Sequence, residues 1–421
     1  MRNIVLLTFD SVRADHCGYM GYDRDTTPNM DELASDGVAY ENAVASASRT
    51  NPSISGIMTG KPIYYRGKIS NPTHARSHLH RHGTLAEDLS DMGYATAAFC
   101  PNAYSSRYYG FDRGFDMFED FLFTSDRYQS LWDRHIEESG WFTTLRNLRN
   151  FVKREEAFRT WDTYVDDAVE WVDNQKEPFF LWMFSLDTHY PYLTPRSSRR
   201  YSSLFNQYYY NWKCYQLIDE FDTNISNRLK EKIVDIYDDS IRFGDRLIGE
   251  LQDRLDDFDP VFVVHSDHGE AFGERGMYGH SFPYLYDENI HIPLTISGLD
   301  EQRTVSDPAS LLQLRESAPK LSQGQLPDLT DEYALSTEYD GRNDRSITAV
   351  RSTDYKYIVT RTGENSTREL YELNADQTEQ NNILDNGADQ VDNLANAGNR
   401  YVNHKEEVHR IRHAVQRLNG V

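Results

Sequence analysis

Acidic and imidazole side chains follow two apolar stretches that lie far apart in the chain. Asp10 comes directly after residues 4–9, and Asp267 and His268 come just after residues 261–264. Carboxylate oxygens and imidazole nitrogens are common ligands of divalent cations in proteins. The sequence therefore predicts a metal site, provided that the fold brings the two stretches together.

Local structure offers an alternative explanation for each of these residues. Asp267 could cap a following helix, with His268 as a solvated loop residue, because aspartate is favoured at helix amino ends. Asp10 could likewise cap a helix or pair with Arg13. The surrounding elements decide between these explanations and a metal site.

The two apolar stretches have the composition of strands buried on both faces of a parallel sheet. Residues 178–186 predict a third such strand, which ends at Asp187 and His189. Neighbouring strands lie about 4.8 Å apart, so carboxylates at two adjacent strand ends can share one cation. Open α/β sheets bind ligands at this carboxyl edge.

A series of motifs resembles the sulfatase family of the alkaline phosphatase superfamily. Residues 13–16 read Arg-Ala-Asp-His, residues 27–29 read Thr-Pro-Asn, and residues 50–60 read Thr-Asn-Pro-Ser-Ile-Ser-Gly-Ile-Met-Thr-Gly. Their order, ahead of Asp267 and His268, follows the family pattern over nearly the whole chain. The resemblance implies an α/β fold with a large, mainly parallel sheet flanked by helices.

The carboxyl-terminal part has a different character. From about residue 335 the sequence alternates between short strands, which resembles the small antiparallel subdomain of sulfatases. We therefore expect a catalytic α/β domain over residues 1–334 and a small subdomain of antiparallel strands and helix over residues 335–421.

Thr50 falls on the nucleophile position of the family. Pro52 suits the first turn of a helix, so the Thr50 hydroxyl would lie at a helix amino end, where backbone NH groups favour an anion. The alternative is that Thr50 is only a helix cap.

The resemblance also implies roles for the remaining site residues. It places His189 beside the transferred anion, where an imidazole can donate to an oxygen or assist the leaving group. His280 lies where relatives have a basic residue that contacts the anion, although a loop histidine is commonly just solvated. The implied metal ligands are Asp10, Asp267 and His268, with Thr50 as the fourth protein ligand.

Ser11 bears on the identity of the cation, because it stands where many sulfatases have a second aspartate. A site with one carboxylate fewer and an imidazole favours one Mn²⁺ or Zn²⁺ ion, with Ca²⁺ as the alternative.

Two departures from the family pattern shape the expected function. Threonine cannot be converted to the formylglycine of true sulfatases, and Ile54 replaces the arginine that usually follows Pro-Ser. We therefore expect a metal-dependent hydrolase or transferase of phosphate esters on a small molecule, a glycan or a lipid headgroup. The alternatives are a sulfuric ester hydrolase without formylglycine and a noncatalytic anion-binding relative.

Composition limits the class of protein further. The net charge is -23, which argues against nucleic-acid binding, and ten of the 44 basic residues are lysine, as in salt-adapted cells. An ordinary acidic protein is the alternative. Three widely spaced cysteines argue against a disulfide framework, and the apolar stretch over residues 4–9 is too short for a signal peptide or membrane span. These features predict a cytoplasmic protein.

The halophilic interpretation predicts that folding depends on salt. Cations must screen a net charge of -23 if the compact state is to persist, so the melting temperature should rise between low and molar KCl. Thermal melts followed by circular dichroism measure this. A melting temperature that stays level or falls would contradict the interpretation.

Overall fold

A computed structural model describes residues 1–421 except 64–70, 122–158, 177, 219–224, 342, 386–391 and 399–421. The described strands are β1 (Ile4–Phe9), β2 (Val38–Tyr40), β3 (Ala95–Phe99), β4 (Met117–Glu119), β5 (Phe179–Ser185), β6 (Val261–Ser266), β7 (Ala271–Phe272), β8 (Tyr278–Gly279), β9 (Leu294–Ser297), β10 (Arg303–Val305), β11 (Ala334–Asp340), β12 (Arg345–Arg351), β13 (Tyr355–Thr362) and β14 (Asn365–Glu372).

Helices alternate with these strands over most of the chain. The described α-helices are α1 (Pro28–Asp36), α2 (Thr50–Thr59), α3 (Pro72–His82), α4 (Leu85–Asp91), α5 (Val165–Asp173), α6 (Leu204–Leu217), α7 (Asn227–Leu255), α8 (Asp287–Ile290) and α9 (Leu314–Ser322). None of them is both long and apolar enough to cross a membrane.

The larger sheet has eight strands in the order β10, β2, β9, β6, β1, β5, β3, β4. Strand β1 lies at its centre and pairs in parallel with both β5 and β6. Strand β9 is antiparallel to β2 and β6, whereas the remaining pairs are parallel. The sheet is therefore mainly parallel, and the predicted fold class is confirmed.

The central strands are buried on both faces because helices cover both sides of the sheet. Ile4 and Leu6 of β1 pack into one core cluster with side chains of α2, α4 and α9. Val5, Leu7 and Phe9 pack into the other, with side chains of α1, α5 and α7. Continuous burial explains why these strands read as unbroken apolar runs.

The carboxyl-terminal strands form a separate antiparallel sheet in the order β11, β12, β13, β14. The short alternating strands predicted from about residue 335 correspond to this sheet, so this part of the predicted fold is also confirmed. Ile347, Ala349 and Ile358 join the core of the larger sheet. The division into domains at residue 334 stays a prediction.

A buried ion-pair network joins the smaller sheet to the rest of the fold. The Lys356 ammonium on β13 is fully buried and lies 2.8 Å from both Asp287 Oδ1 and Glu379 Oε1. Arg351 Nη2 lies 3.3 Å from Asp287 Oδ2. Burial raises the pKa of Asp287, but Arg351 and Lys356 outweigh it and hold this pKa well below its usual range.

Replacing Lys356 with methionine should therefore destabilise the fold strongly. The change leaves Asp287 and Glu379 buried with one cation fewer, and losing one partner of a buried ion pair typically costs about 3–5 kcal/mol. The matched control is Lys320→Met, because Lys320 pairs with Asp328 at an exposed site, where such a pair contributes about 0–1 kcal/mol. Urea unfolding measures the free energy of unfolding of both variants. Equal losses of this free energy would contradict a stabilising role for the buried network.

Candidate active site

The register of the central strands places two carboxylates side by side. Phe9 at the end of β1 pairs with Ser266 at the end of β6, so Asp10 and Asp267 are the next residue on each strand. The Asp267 amide donates to the Phe9 carbonyl at 3.0 Å, and both aspartates are fully buried. Two acids from distant parts of the sequence thus meet at the carboxyl edge of the sheet.

His268 completes this group with an imidazole of defined tautomer. Its Nδ1 donates to the Gly269 carbonyl at 2.8 Å, which leaves Nε2 as the nitrogen that faces the acids. Nε2 lies 3.8 Å from Asp10 Oδ1 and 3.6 Å from Asp267 Oδ2. Burial, followed by the charge of His280, lowers the pKa of His268 to about 3, so its imidazole is neutral at pH 7.

Hydrogen bonds satisfy the Asp10 carboxylate. Asp10 Oδ1 accepts from the Ser11 hydroxyl at 2.7 Å, and Oδ2 accepts from the Asn102 amide at 2.6 Å. Burial raises the pKa of Asp10, but its electrostatic interactions with the surrounding histidines and the hydrogen bond from Ser11 outweigh burial and lower the pKa below its ordinary value. Asp10 is therefore held in its ionised form.

Asp267 is left with an unsatisfied oxygen. Its Oδ1 accepts from the backbone amides of Ser11 at 3.1 Å and His268 at 2.8 Å, whereas Oδ2 has no hydrogen-bond partner among the described residues. Burial and the nearby charge of Asp10 raise the pKa of Asp267 well above its ordinary value. A buried polar atom without a partner needs an explanation, and a bound cation would supply one.

The three side chains are close enough to coordinate one ion. One ligand atom each from Asp10, Asp267 and His268 lies within 4.8 Å of the other two. The Gly269 carbonyl accepts a hydrogen bond from the His268 imidazole, and the Asn102 amide donates one to the Asp10 carboxylate. Metal ligands in proteins are commonly oriented by such hydrogen bonds. The donor set therefore fits a divalent cation.

Thr50 lies next to this cluster at the start of α2. Its Oγ1 is 3.2 Å from His268 Nε2, and the residue is 6% exposed. Arg49 occupies the cap position of the helix, so Thr50 is the first helical residue. The Ser53 hydroxyl donates to the Asp267 carbonyl at 2.6 Å, which ties the helix to the loop that carries the acid.

His189 and His280 lie on the same side of the fold as the acids. The His280 ring centroid is 4.4 Å from that of His268 and 5.1 Å from that of His189. His189 Nδ1 donates to the Tyr190 carbonyl. The structure thus brings together all the residues singled out from the sequence: Asp10, Thr50, His189, Asp267, His268 and His280.

His280 is held by a carboxylate that the sequence analysis did not identify. Its Nδ1 lies 2.8 Å from Oε1 of Glu270, and the Tyr192 hydroxyl donates to Oε2 of Glu270 at 3.0 Å. Burial lowers the pKa of His280, but the charge of Glu270 and its hydrogen bond raise it above the ordinary value. The pairing favours an imidazolium that can contact an anion.

Asn102 was also missed, although its position carried a signal. It follows β3 by three residues, and β3 is a buried strand of the same sheet, so its side chain reaches the same edge as Asp10. Glu270 carried a weaker signal, since it stands two residues after His268. Polar residues just beyond buried parallel strands were therefore the useful indicator in both cases.

Comparisons with known proteins agree with the family resemblance. A family model described as Sulfatase matches residues 2–320. The ulvan-active sulfatase of Formosa agariphila is 23% identical over 424 residues, covering 91% of this chain and 77% of that protein. The phosphoethanolamine transferase EptA of Salmonella typhimurium is 34% identical over 113 residues, covering 25% of this chain and 21% of that protein.

A solved structure shares the fold over almost the whole length. The phosphonate monoester hydrolase of Agrobacterium radiobacter superposes with a TM-score of 0.68 at 17% identity, and the match covers 96% of each chain. At this identity the similarity concerns the fold. It agrees with a mainly parallel sheet accompanied by a smaller antiparallel one.

The site geometry predicts which substitutions remove a bound metal. Asp267→Asn should weaken the binding of Mn²⁺ or Zn²⁺ by about 100-fold or more, because even outer partners of metal ligands contribute 10–100-fold. Mass spectrometry of metal content after equilibrium dialysis measures this. The matched control is Asp187→Asn: this buried acid also follows a strand, but it accepts from the Ser185 hydroxyl and lies outside the cluster. Equal metal content in the wild type and Asp267→Asn would contradict the assignment.

Proposed function

The chain belongs to the sulfatase family, and from that premise we propose that it is a metal-dependent hydrolase or transferase of phosphate esters with Thr50 as its nucleophile. One observation carries the proposal. The Thr50 hydroxyl is 3.2 Å from His268 Nε2, at the amino end of a buried helix and beside two buried carboxylates. A threonine that only capped a helix would not need these neighbours.

The residues present fit a single divalent cation. Asp10, Asp267 and His268 would hold it, with the Thr50 hydroxyl as a further ligand, and the mixed oxygen and nitrogen donors favour Mn²⁺ or Zn²⁺ over Ca²⁺. When bound, such a cation lowers the pKa of a coordinated hydroxyl and neutralises charge on the transferred group. The unsatisfied Asp267 Oδ2 supports this assignment.

The protein side chains then account for the transfer step. Thr50 Oγ1 forms a bond to phosphorus while the bond from phosphorus to the leaving oxygen breaks, and the threonine proton is released to solvent. His189 and His280 donate hydrogen bonds to the phosphoryl oxygens, and an imidazolium proton passes to the leaving oxygen. Water or an acceptor hydroxyl then attacks phosphorus and gives its proton to the imidazole, while the bond from phosphorus to Thr50 breaks and the Thr50 oxygen takes back a proton from solvent.

Burial of the amino end of α2 supports the anion-binding role. All ten residues of the helix are buried, so its first amide groups act in a medium that screens charge weakly. Ile54, which stands where the family has an arginine, is fully buried in the core and leaves no cationic group at that position. The positive charge near the anion would come from His280, together with the cation.

Phosphate esters are favoured over sulfate esters for a chemical reason. Threonine has a single hydroxyl and cannot form the aldehyde hydrate of formylglycine, whereas an unmodified oxygen nucleophile suits phosphoryl transfer. The similarity to EptA, named as a phosphoethanolamine transferase, supports this choice. A sulfuric ester hydrolase is the second candidate, since the relative that matches 91% of the chain is named as a sulfatase.

Replacing Thr50 tests the proposal directly. Thr50→Ala should lower kcat by about 10⁴-fold or more, as expected for a lost nucleophile, while Thr50→Ser should keep partial activity. Activity is measured with p-nitrophenyl phosphate, bis-p-nitrophenyl phosphate and p-nitrophenyl sulfate, each with Mn²⁺, Zn²⁺ or Ca²⁺. Intact-mass analysis after quenching should detect one added phosphoryl group in the wild type and none in Thr50→Ala.

The matched control is Thr59→Ala at the other end of the same helix. Thr59 is buried and donates to the Ser55 carbonyl at 2.6 Å, so its loss costs stability and leaves the nucleophile in place. Full activity of Thr50→Ala would overturn the role of Thr50. Clean turnover of the sulfate ester alone would favour the sulfatase, and no turnover of any ester would favour a noncatalytic relative.

A further inference from the structure

Glu338 connects the carboxyl-terminal sheet to the segment that carries the nucleophile. It lies on β11, and its carboxylate is buried. Oε1 accepts from the Ser48 amide at 3.1 Å, from the Ser48 hydroxyl at 3.2 Å and from Arg49 Nε at 3.3 Å. Oε2 forms an ion pair with Arg49 Nη2. One side chain therefore fixes the two residues that immediately precede Thr50.

Arg49 needs this support because it is a poor cap for the helix. It stands at the cap position of α2 in an extended conformation, and its side chain makes no capping hydrogen bond. Arginine is absent from the residues favoured at this position, and a cation is unfavourable near the positive end of a helix dipole. The Glu338 carboxylate offsets that charge and holds the helix start from outside.

Further contacts from β11 clamp the same segment. The Thr337 amide donates to the Ser46 carbonyl at 2.8 Å, and Nη2 of Arg49 donates to the Tyr339 carbonyl at 3.0 Å. On the other side, α2 packs closely on Ser46, because a Cβ at Gly56 would lie 2.5 Å from the Ser46 hydroxyl. Residues 45–49 are thus held between β11 and the helix that begins with Thr50.

We propose that Glu338 is a positioning residue for the reaction, which it serves by holding Ser48 and Arg49 so that the Thr50 hydroxyl stays aligned with the metal cluster. This inference rests on the proposed function of Thr50. It makes the carboxyl-terminal sheet part of the catalytic apparatus, although the cluster found among the described residues, Asp10, Asp267 and His268, includes no residue of that sheet.

The pair also has an electrostatic reason to stay intact. The buried Glu338 carboxylate, which contacts the two residues before Thr50, would repel an anionic ester unless a cation neutralised it, and Arg49 supplies that cation. Glu338 and Arg49 should therefore behave as a unit. Losing either one misplaces the helix start, and losing the second adds little.

A double-mutant cycle on Glu338 and Arg49 tests the proposal. Glu338→Gln and Arg49→Gln should each lower kcat by about 10- to 100-fold, the loss expected for a nucleophile misplaced by about 1 Å. KM should change by less than about threefold in Glu338→Gln, whereas Arg49→Gln should also raise KM for an anionic ester, because it leaves the Glu338 carboxylate without its cation. The double variant should lose no more than the worse single variant, because residues that act together are not additive. Additive losses in kcat, or a change in KM with kcat unchanged, would overturn the pairing.

The matched control is Glu379→Gln in the same part of the chain. Glu379 is also a buried carboxylate in an ion pair, 2.8 Å from Lys356, but it does not contact residues 45–49. The Glu379→Gln substitution should lower the melting temperature and leave kcat unchanged. If Glu338→Gln and Glu379→Gln lower kcat equally at equal loss of stability, Glu338 has only a structural role.

Hydrogen–deuterium exchange separates this inference from the proposed function, since it requires no substrate. Peptides covering residues 45–56 should exchange faster in Glu338→Gln than in the wild type and Glu379→Gln. Unchanged protection of these peptides would overturn the inference whether or not the protein turns over an ester. Failure of the proposed function would instead appear as an inactive wild type or an active Thr50→Ala variant.

Discussion

The repulsion between two buried carboxylates is the constraint on which the site depends. Asp10 and Asp267 are fully buried at the ends of adjacent strands, where two negative charges interact strongly. The fold surrounds them with donors: the Ser11 hydroxyl and the Asn102 amide bond Asp10, and backbone amides bond one oxygen of Asp267. The second oxygen of Asp267 remains unsatisfied among the described residues. A cation at this point would satisfy this oxygen and offset the repulsion, which supports the proposed metal site.

Thr50, the proposed nucleophile, is held in place by a different set of contacts. Helix α2 is anchored by Ile54, which packs in the core, and by the Ser53 hydroxyl, which donates a hydrogen bond to the Asp267 carbonyl. Its first turn is fixed by Glu338, which belongs to the separate antiparallel sheet. Thr50 thus lies where the larger sheet, the buried helix and the smaller sheet meet. Each of the three contributes one constraint on the same hydroxyl.

The sequence predicts the parts of this arrangement that local pattern determines. Asp10 and Asp267 follow apolar runs directly, and parallel pairing of two such runs is enough to bring the acids together. The antiparallel direction of β9 and the contact of Glu338 with Arg49 depend on how distant elements pack, since the latter pair is separated by 289 residues. The hydrophobic periodicity of a sequence does not encode a contact between two polar residues so far apart. From the sequence, we expect substrate specificity to depend on residues near 117–176 and 196–222, of which 122–158 and 219–222 lie outside the described residues.

The identity of the nucleophile determines which reactions remain open to this site. A formylglycine hydrate carries two hydroxyls, so one can expel the ester group that the other has accepted, and the intermediate resolves itself. Threonine has only one hydroxyl, so a phosphoryl group on Thr50 stays until an external oxygen attacks phosphorus. Water gives hydrolysis and an alcohol gives transfer, and the Thr50 geometry is the same for both. If Thr50 is the nucleophile, as we propose, access of the second oxygen to Thr50 separates a hydrolase from a transferase, while Asp10, Asp267 and His268 serve either outcome.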